Sequence, residues 1–394
     1  MVQVLKPSSD ADLVDAIQQA GADGRRLEIR GGGSKIDFGA PDRDADILDM
    51  TAFGSVIDYD PAELVLTAGA GTPLAQIQAL VDSENQMLAF EPFDHGVLYG
   101  RPSGAATIGG VVAAGVAGSR RVSAGAARDH LLGFKGVSGR GEAFVAGAKV
   151  VKNVTGYDLP KLICGSWGRL VALTEVTLKV LPRGREQTTL IAEGLTPQQA
   201  HRLMARAMAS HADVQAAAHM PTSAFGAKPV TAIRLEGFGP SVAARADMLT
   251  AMGGSENPAA VAPQADAAAF WYDLRDLTAL ASSRTLWRVN VPPSQGSAVV
   301  AALEPHGARW LFDWAGGLVW LGVDCDPTLI RDVAAAAGGH ATLVRGPAEL
   351  RSCVPALHPP TPGVAALEAR VRRAFDPSGV FETGRFLEAA RHAD

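Results

Sequence analysis

The sequence lacks several features that would assign it to a common class of protein. Its three cysteines, Cys164, Cys325 and Cys353, are too far apart for a zinc site, an iron–sulfur cluster or a disulfide framework. The 36 basic and 41 acidic residues give a net charge of −5 without a basic cluster, which argues against a nucleic-acid-binding surface. The first residues have no signal-peptide core and no stretch has the length and apolar character of a membrane span, so we expect a cytoplasmic protein.

Recognisable catalytic constellations are also missing. The nine histidines are scattered, and no carboxylate pair or Ser/His/Asp arrangement stands out. His211 and His219 flank an expected strand without the spacing of a metal site or a catalytic base, which favours packed or solvent-facing side chains. The sequence therefore predicts no metal site, and it leaves the catalytic residues unknown.

The chain has 394 residues, a length that favours two domains. Glycine is abundant, with 43 residues. The first cluster is I-R-G-G-G-S-K at 29–35, directly after an expected strand. Arg30, Gly31, Gly32, Gly33 and Ser34 fit neither the mononucleotide P-loop nor the dinucleotide fingerprint. Successive glycines can still turn their N–H groups inward around a phosphate, so we expect an anion-binding loop, with a tight turn without ligand as the alternative.

The second cluster is P-S-G-A-A-T-I-G-G-V-V-A-A-G-V-A-G-S-R-R at 102–121. Thr107 can cap a helix that begins at Ile108. Glycine costs a helix about 1 kcal/mol relative to alanine, so Gly109 and Gly110 indicate that something lies against the backbone there. That partner is either a phosphate and flat ligand at the helix N-terminus or a closely packed neighbouring helix.

A third block, 152–182, ends in a clean alternation of apolar and polar residues that predicts a half-buried strand after a G-S-W-G turn. The order R-G-G-G-S, A-T-I-G-G, G-Y-D-L-x-K-L and G-S-x-G-x-L with T-E-V-T-L-K resembles the FAD-binding domain of the vanillyl-alcohol-oxidase/PCMH flavoprotein family. The segment F-D-P-S-G-V-F-E-T-G-R-F at 375–386 resembles the closing segment of that family. The four motifs span about 150 residues in the family's order.

The resemblance implies FAD as cofactor and a set of binding residues. Arg30 to Ser34 would cradle the pyrophosphate, and the FAD-binding set comprises Arg30, Gly31, Gly32, Gly33, Ser34, Thr107, Ile108, Gly109, Gly110, Val111, Asp129, Gly165, Ser166 and Val171. Many relatives attach FAD through a histidine in the first glycine loop; here Ser34 fills the late position of that loop, which implies non-covalent FAD. Tyr157 and Asp158 match a loop near the cofactor in the family, with a simple helix start as the alternative.

The expected fold class is α+β, with a PCMH-type two-subdomain FAD-binding domain and an antiparallel-sheet cap with helices on one face. The FAD domain covers 1–185, with subdomains of about 1–55 and 56–185. The cap, 186–350, shows two successive β-α-β-β-α-β patterns, with a flexible insertion expected at 253–269. The segment 351–394 would return to the FAD domain.

The sequence K-N-V-T-G-Y-D-L-P-K-L and that of the closing segment resemble those of the FAD-binding subunits of bacterial glycolate oxidases. That resemblance implies a complex with a catalytic FAD subunit and an iron–sulfur subunit that oxidises glycolate to glyoxylate and passes electrons on, in the cytoplasm or peripheral to the inner membrane. The alternatives are a self-sufficient FAD oxidoreductase of another small 2-hydroxy acid or alcohol, and a flavin-free scaffold subunit. The tryptophan-bearing segments 286–291 and 308–322 are candidate partner contacts, with burial in the cap's own core as the alternative.

Overall fold

The computed structural model describes residues 2–41, 43–148, 156–221, 228–252, 256, 258 and 260–387. These residues divide into two compact units. Unit 1 comprises residues 2–117, 125–182 and 359–387, and unit 2 comprises residues 118–124 and 183–358. Each unit is described separately below.

The strands and helices follow in chain order. The strands are β1 (Val4–Leu5), β2 (Leu27–Arg30), β3 (Asp46–Asp49), β4 (Val56–Asp60), β5 (Val65–Gly69), β6 (Gln86–Met87), β7 (Leu131–Ser138), β8 (Ala143–Gly147), β9 (Val171–Lys179), β10 (Leu181–Pro182), β11 (Glu186–Glu193), β12 (Ala216–Met220), β13 (Val230–Gly237), β14 (Ala260–Val261), β15 (Leu286–Asn290), β16 (Arg309–Asp313), β17 (Leu318–Gly322) and β18 (His340–Arg345). The α-helices are α1 (Asp10–Ala22), α2 (Leu74–Ser83), α3 (Ile108–Ala114), α4 (Arg121–Ala124), α5 (Ala127–His130), α6 (Leu159–Ile163), α7 (Pro197–Ala209), α8 (Gly239–Thr250), α9 (Gln264–Asp276), α10 (Gly296–Leu303), α11 (Pro327–Ala336), α12 (Ala348–Cys353) and α13 (Pro362–Phe375).

Unit 1 contains three sheets. A parallel sheet has the order β1-β3-β2, an antiparallel sheet has the order β4-β5-β9-β7-β8, and β10 pairs with β6. Helix α1 begins with a capping box between Ser9 and Asp12, and its apolar stripe is buried against the parallel sheet. Val380 and Phe381 of the C-terminal segment join the same core, because the Val380 carbonyl accepts a hydrogen bond from the N–H of Leu27 in β2.

The strand predicted from the third block is β9. All five apolar residues of the alternation are buried: Leu170, Ala172, Val176, Leu178 and Val180. Their polar neighbours are partly buried, because β9 is a central strand with β5 on one side and β7 on the other. The period-two pattern therefore predicted the core-facing side of this strand correctly.

Unit 2 is built on an eight-stranded sheet with the order β14-β11-β13-β12-β16-β17-β15-β18, all of its pairs antiparallel. The element order β11-α7-β12-β13-α8-β14 is followed by β15-α10-β16-β17-α11-β18, so the predicted double β-α-β-β-α-β pattern is confirmed. The core of the unit joins one side of the sheet to apolar residues of α7, α8, α10 and α11.

The tryptophans proposed as partner contacts are buried in unit 2. Trp287 and Trp310 belong to its main core, and Trp314 and Trp320 are also shielded from solvent. The expectation that these segments expose a tryptophan-rich surface is therefore wrong, and burial within the cap accounts for them.

Two further segments differ from the sequence prediction. The predicted flexible insertion 253–269 contains β14, which pairs with β11, and the start of α9; residues 253–255, 257 and 259 lie outside the described part of the chain. Residues 118–124, which a single boundary at 185 assigns to the first domain, pack with unit 2. Trp314 Nε1 donates to the Gly118 carbonyl at 3.0 Å and Ser119 Oγ donates to Asp313 at 2.9 Å.

Candidate functional site

The two glycine clusters predicted from the sequence meet at one cleft in unit 1. The loop after β2 forms one wall, and the N-terminal part of α3 forms another. The lining residues are Glu28, Ile29, Arg30, Gly31, Gly32, Gly33, Ser34, Lys35, Ile36, Met50, Ala70, Thr107, Gly109, Gly110, Ala113, Ala114, Trp167, Gly168, Val171, Leu173 and Arg385. The cleft therefore combines apolar walls with a few converging charged groups, as ligand sites typically do.

The three consecutive glycines serve two different needs. Gly31 and Gly32 lie against the segment before α3, where a Cβ would sit 2.2 Å from Thr107 Oγ1 and 1.9 Å from the Ala105 carbonyl oxygen, respectively. Only Gly33 has a left-handed backbone, with φ of +81°. Gly32 is required for a different reason, because the close approach of two backbone segments excludes a side chain there.

The two glycines at the start of helix α3 also have different roles. Thr107 caps the helix as predicted, since its side chain accepts a hydrogen bond from the Gly110 N–H. A Cβ on Gly109 would lie 2.7 Å from the Ala70 Cβ, so this glycine allows α3 to pack on the end of β5. A Cβ on Gly110 would meet no protein atom closer than 3.3 Å and would lie 3.9 Å from Lys35 Nζ.

Lys35 places a buried ammonium group in the cleft. The residue is 8% exposed, and within the described chain its hydrogen-bond partner is Ser34 Oγ at 3.3 Å. Burial lowers the pKa of Lys35 to about 8, Asp94 opposes that shift, and the charge of Arg385 adds to it. The Asp94 carboxylate is itself occupied by the backbone N–H groups of Gly96, Gly104 and Ala106.

The other charged groups of the cleft leave an excess of positive charge. Glu28 pairs with Arg30 at 3.0 Å and with Arg43 at 2.8 Å. Arg385, from the C-terminal segment, donates to the carbonyls of Lys35 and Phe38, and burial lowers its pKa to about 10. The lining residues include three cations, Arg30, Lys35 and Arg385, and one carboxylate, that of Glu28. This composition favours an anionic ligand.

An aromatic group also lines the cleft. Trp167 stacks on Phe38, with ring centroids 4.1 Å apart and planes 5° from parallel. Its backbone is left-handed, with φ of +58°, and its N–H donates to the Ala113 carbonyl of α3 at 2.7 Å. The G-S-W-G turn thereby brings the indole to the cleft, and the sequence prediction, which named Gly165, Ser166 and Val171, omitted it.

Nine of the fourteen predicted binding residues line the cleft, and five do not. The nine are Arg30, Gly31, Gly32, Gly33, Ser34, Thr107, Gly109, Gly110 and Val171. Ile108 and Val111 are buried in the core. Gly165 and Ser166 form the turn after α6, and the Gly165 N–H donates to the Val112 carbonyl of α3. Asp129 is exposed and accepts a hydrogen bond from the Ala126 N–H at the start of α5.

The Tyr-Asp segment before α6 takes the form of a helix start. Tyr157 is 93% exposed, and the Asp158 side chain accepts a hydrogen bond from the Lys161 N–H at 3.2 Å. The preceding motif residues 152–155 lie outside the described part of the chain. Asp158 is accounted for by helix capping.

The histidines named in the sequence occupy structural or solvent positions. His219 is buried, its Nδ1 bonds to Thr231 Oγ1 at 2.8 Å, and burial lowers its pKa to about 4. His211 is exposed. Within the described ranges, no group of three or more His, Cys, Asp or Glu residues is placed to hold a metal ion, and no helix is long and apolar enough to cross a membrane.

Comparison with known proteins assigns the chain to a family. Residues 2–147 match the family model for an FAD binding domain. Glycolate oxidase subunit GlcE of Escherichia coli strain K12 is 35% identical over 375 residues, which cover 95% of this chain and 96% of that protein. The chain belongs to the GlcE family of FAD-binding oxidoreductase subunits. Its cofactor is FAD.

More distant similarities cover part of the chain or show the fold alone. D-lactate dehydrogenase of Archaeoglobus fulgidus is 29% identical over 48% of this chain and 40% of that protein. Glycolate oxidase subunit GlcD of Bacillus subtilis is 27% identical over 44% of this chain and 35% of its own length. The structure of an alkyldihydroxyacetonephosphate synthase matches 96% of this chain with a TM-score of 0.64 at 16% identity, so the predicted PCMH-type fold with its cap is confirmed.

Proposed function

We propose that this GlcE-family chain binds FAD non-covalently in the cleft of unit 1 and acts as the FAD-binding subunit of a multi-subunit enzyme that oxidises glycolate to glyoxylate. One observation carries the location of the cofactor: the buried Lys35 ammonium has spare hydrogen-bond donors and no carboxylate bonded to it among the described residues. A buried charge of this kind costs free energy unless an opposite charge enters beside it.

A pyrophosphate fits that requirement in charge and in chemistry. The lining contains three cations and one carboxylate, an excess that matches the two negative charges of a pyrophosphate diester. The loop Gly31 to Ser34 adds backbone N–H groups and the Ser34 hydroxyl beside Lys35. Charge-assisted hydrogen bonds from Lys35 would hold the anion, and Arg385 and Arg30 would add to the positive potential around it.

Non-covalent attachment follows from the same lining. The described residues of the cleft include no histidine or cysteine, and Ser34 stands at the late position of the glycine loop. Ser34 Oγ accepts the hydrogen bond from the Lys35 ammonium, which is mainly protonated at neutral pH and therefore does not act there as a base on this hydroxyl. The cofactor should therefore dissociate intact when the protein unfolds.

The overall reaction removes two electrons and two protons from the alcohol carbon and hydroxyl of glycolate and yields glyoxylate. Bound FAD supplies the two-electron acceptor for such a reaction. By analogy with glycolate oxidase subunits, a catalytic flavin subunit would oxidise glycolate and an iron–sulfur subunit would carry electrons onward. Similarity to a GlcE protein over nearly the whole chain supports this assignment. The partial similarity to D-lactate dehydrogenase favours a second candidate, a self-sufficient oxidase of another 2-hydroxy acid.

The two candidates differ in the activity of the isolated chain. We would purify the chain alone and together with the products of neighbouring genes, and measure glycolate-dependent and D-lactate-dependent reduction of a dye at equal FAD content. The subunit assignment predicts turnover with glycolate only in the co-purified complex. Full turnover by the chain alone would replace it with the self-sufficient oxidase, and D-lactate as the preferred substrate would overturn glycolate.

A further inference from the structure

Arg385 lies in the C-terminal segment, and its guanidinium ends on the loop that carries Lys35. We propose that Arg385 is a positioning residue: it fixes the loop formed by residues 35–40, the lysine loop, so that the Lys35 ammonium stays in the cleft and FAD dissociates slowly. The effect on FAD rests on the proposed function, whereas the attachment of the loop does not. This role needs the shape of a guanidinium and not only its positive charge.

The lysine loop has little regular structure of its own. It consists of turns between β2 and β3 rather than of a helix or a strand. Its backbone hydrogen bonds include those from the Ile36 N–H to the Gly33 carbonyl and from the Phe38 N–H to the Lys35 carbonyl, each at 3.2 Å. Because turn bonds of this kind fix only neighbouring residues, the place of Lys35 depends on side chains that reach the loop from elsewhere.

Arg43 supports the later part of the lysine loop. Its guanidinium donates to the carbonyls of Ile36, Phe38 and Ala40 at 2.5 to 3.0 Å. Its remaining nitrogen, Nη1, pairs with Glu28 of β2 at 2.8 Å. Arg43 is therefore held by β2 and in turn holds the loop, but these bonds do not include the Lys35 carbonyl.

Arg385 supplies the bond at Lys35. Within the described chain, Arg385 is the side chain that donates to the Lys35 carbonyl, through Nη2, and its Nε donates to the Phe38 carbonyl at 3.1 Å. The Arg385 carbonyl accepts from the Ala40 N–H at 2.9 Å, and a Cβ on Gly39 would lie 2.4 Å from the same oxygen, so the two backbones touch. A guanidinium can span two carbonyls from separate nitrogens, whereas a lysine presents all its donors from one atom.

Aromatic rings surround the guanidinium of Arg385. Its carbon lies 5.3 Å from the Trp167 ring centroid, 5.9 Å from that of Phe386 and 6.0 Å from that of Phe38. Within the described residues no carboxylate pairs with it, and its hydrogen bonds go to the carbonyls of the lysine loop. Cation–π contacts therefore hold the guanidinium while its N–H groups act on the loop.

This arrangement prepares the cleft for an anion. The bond to the Lys35 carbonyl restricts the backbone from which the ammonium extends, and Lys35 is already buried in the apo protein. Fewer groups then have to be ordered when the ligand binds. Without the bond the loop is free to move away from the cofactor, and we expect the effect mainly in the rate of dissociation, as for most changes at a binding site.

The substitution Arg385→Lys separates the shape of the guanidinium from its charge. We would load the full chain with FAD and follow FAD dissociation after dilution by the rise of flavin fluorescence. Because hydrogen bonds to the loop are lost in both variants, the dissociation rate constant should rise about tenfold or more in Arg385→Lys and in Arg385→Gln. Arg373→Gln, at an exposed arginine of α13, is the matched control and should change the rate constant by less than about twofold.

The pH profile of FAD affinity reports where Lys35 lies. Burial and the charge of Arg385 lower the pKa of Lys35, and Asp94 opposes them. Arg385→Lys keeps the charge but should let the ammonium leave its buried position, so the pH above which FAD affinity falls should move up from about 8 toward 10.5. A role through charge alone, or a merely stabilising role in the fold, predicts an unchanged profile in this variant.

Several results would overturn the proposal. A wild-type dissociation rate or an unchanged pH profile in folded Arg385→Lys would do so, and if this variant does not fold, an unchanged rate in Arg385→Gln would count equally. Hydrogen exchange of the apo protein separates this proposal from the proposed function, because residues 35–40 should exchange about tenfold faster in Arg385→Lys than in the wild type. Unchanged exchange refutes only this proposal, and faster exchange in a chain that cannot hold FAD refutes only the proposed function.

Discussion

Replacing Lys35 with methionine should have opposite effects on the apo protein and on FAD binding. In the apo protein, the pKa of Lys35 falls from 10.5 to about 8, which corresponds to a cost of about 3 kcal/mol for keeping the charge at neutral pH. Methionine has a similar length and no charge. Lys35→Met should therefore raise the free energy of unfolding of the apo protein by up to about 3 kcal/mol below pH 8.

The same substitution should weaken FAD binding. A hydrogen bond to a charged group contributes about 1.5–3 kcal/mol, so the dissociation constant of FAD should rise roughly 10- to 100-fold. Lys6→Met, at a surface lysine whose side chain is 69% exposed, is the matched control and should change neither quantity appreciably. Fluorescence titration with FAD and denaturant unfolding of the apo protein measure the two effects.

The pH dependence of apo stability and of FAD affinity tests the same role of Lys35. Between pH 8 and 10.5 the unfolded chain keeps the Lys35 proton that the folded apo protein has lost, so wild-type apo stability should rise relative to Lys35→Met over this window. FAD affinity of the wild type should fall above pH 8, because binding must first restore that proton. A less stable apo Lys35→Met protein, or one that binds FAD normally, would refute the assignment of Lys35 as the counter-ion of an anion.

Three further predictions concern the glycines, the attachment of FAD and the cysteines. Gly110→Val should reduce FAD content with little loss of apo stability, whereas Gly109→Val should lower apo stability itself because its side chain clashes with Ala70. Thermal unfolding with and without FAD measures both effects, and equal effects of the two variants would contradict these separate roles. Acid precipitation should leave FAD in the supernatant, and yellow colour in the pellet would reveal a covalent bond. In the native protein a thiol reagent should modify exposed Cys353 but not buried Cys164, whose pKa burial raises to about 12; peptide mass spectrometry distinguishes the two, and rapid labelling of Cys164 would contradict its burial.

The glycine clusters show what the sequence could and could not predict. Their density after a strand and at a helix start indicated ligand sites, and the resemblance to the FAD-binding family implied that both clusters contact one cofactor. The physical reason for each glycine could not be predicted, because a glycine needed for positive φ and a glycine needed for close backbone contact look the same in the sequence. Gly33 meets the first requirement, and Gly32 and Gly109 meet the second. Such contacts depend on residues 105 and 70, which only the folded chain brings near.

The charged part of the cleft was the main omission. Lys35 adjoins the predicted loop, but its burial depends on the surrounding fold and not on its neighbours in sequence. Arg385 reaches the carbonyl of Lys35 across 350 positions of the chain. The G-R-F end of the closing motif and the tryptophan of G-S-W-G were the available signals for Arg385 and Trp167. The order of strands and helices in unit 2, in contrast, was predictable, because short apolar runs typical of strands alternate with segments typical of helices.

The crystal structure of the FAD-loaded chain tests the central claim most directly. The account predicts the pyrophosphate beside the loop Gly31 to Ser34, with a phosphate oxygen roughly 2.7–2.9 Å from Lys35 Nζ and no covalent link to the protein. FAD bound outside the cleft of unit 1, or bound there with Lys35 turned away from the phosphates, would contradict it.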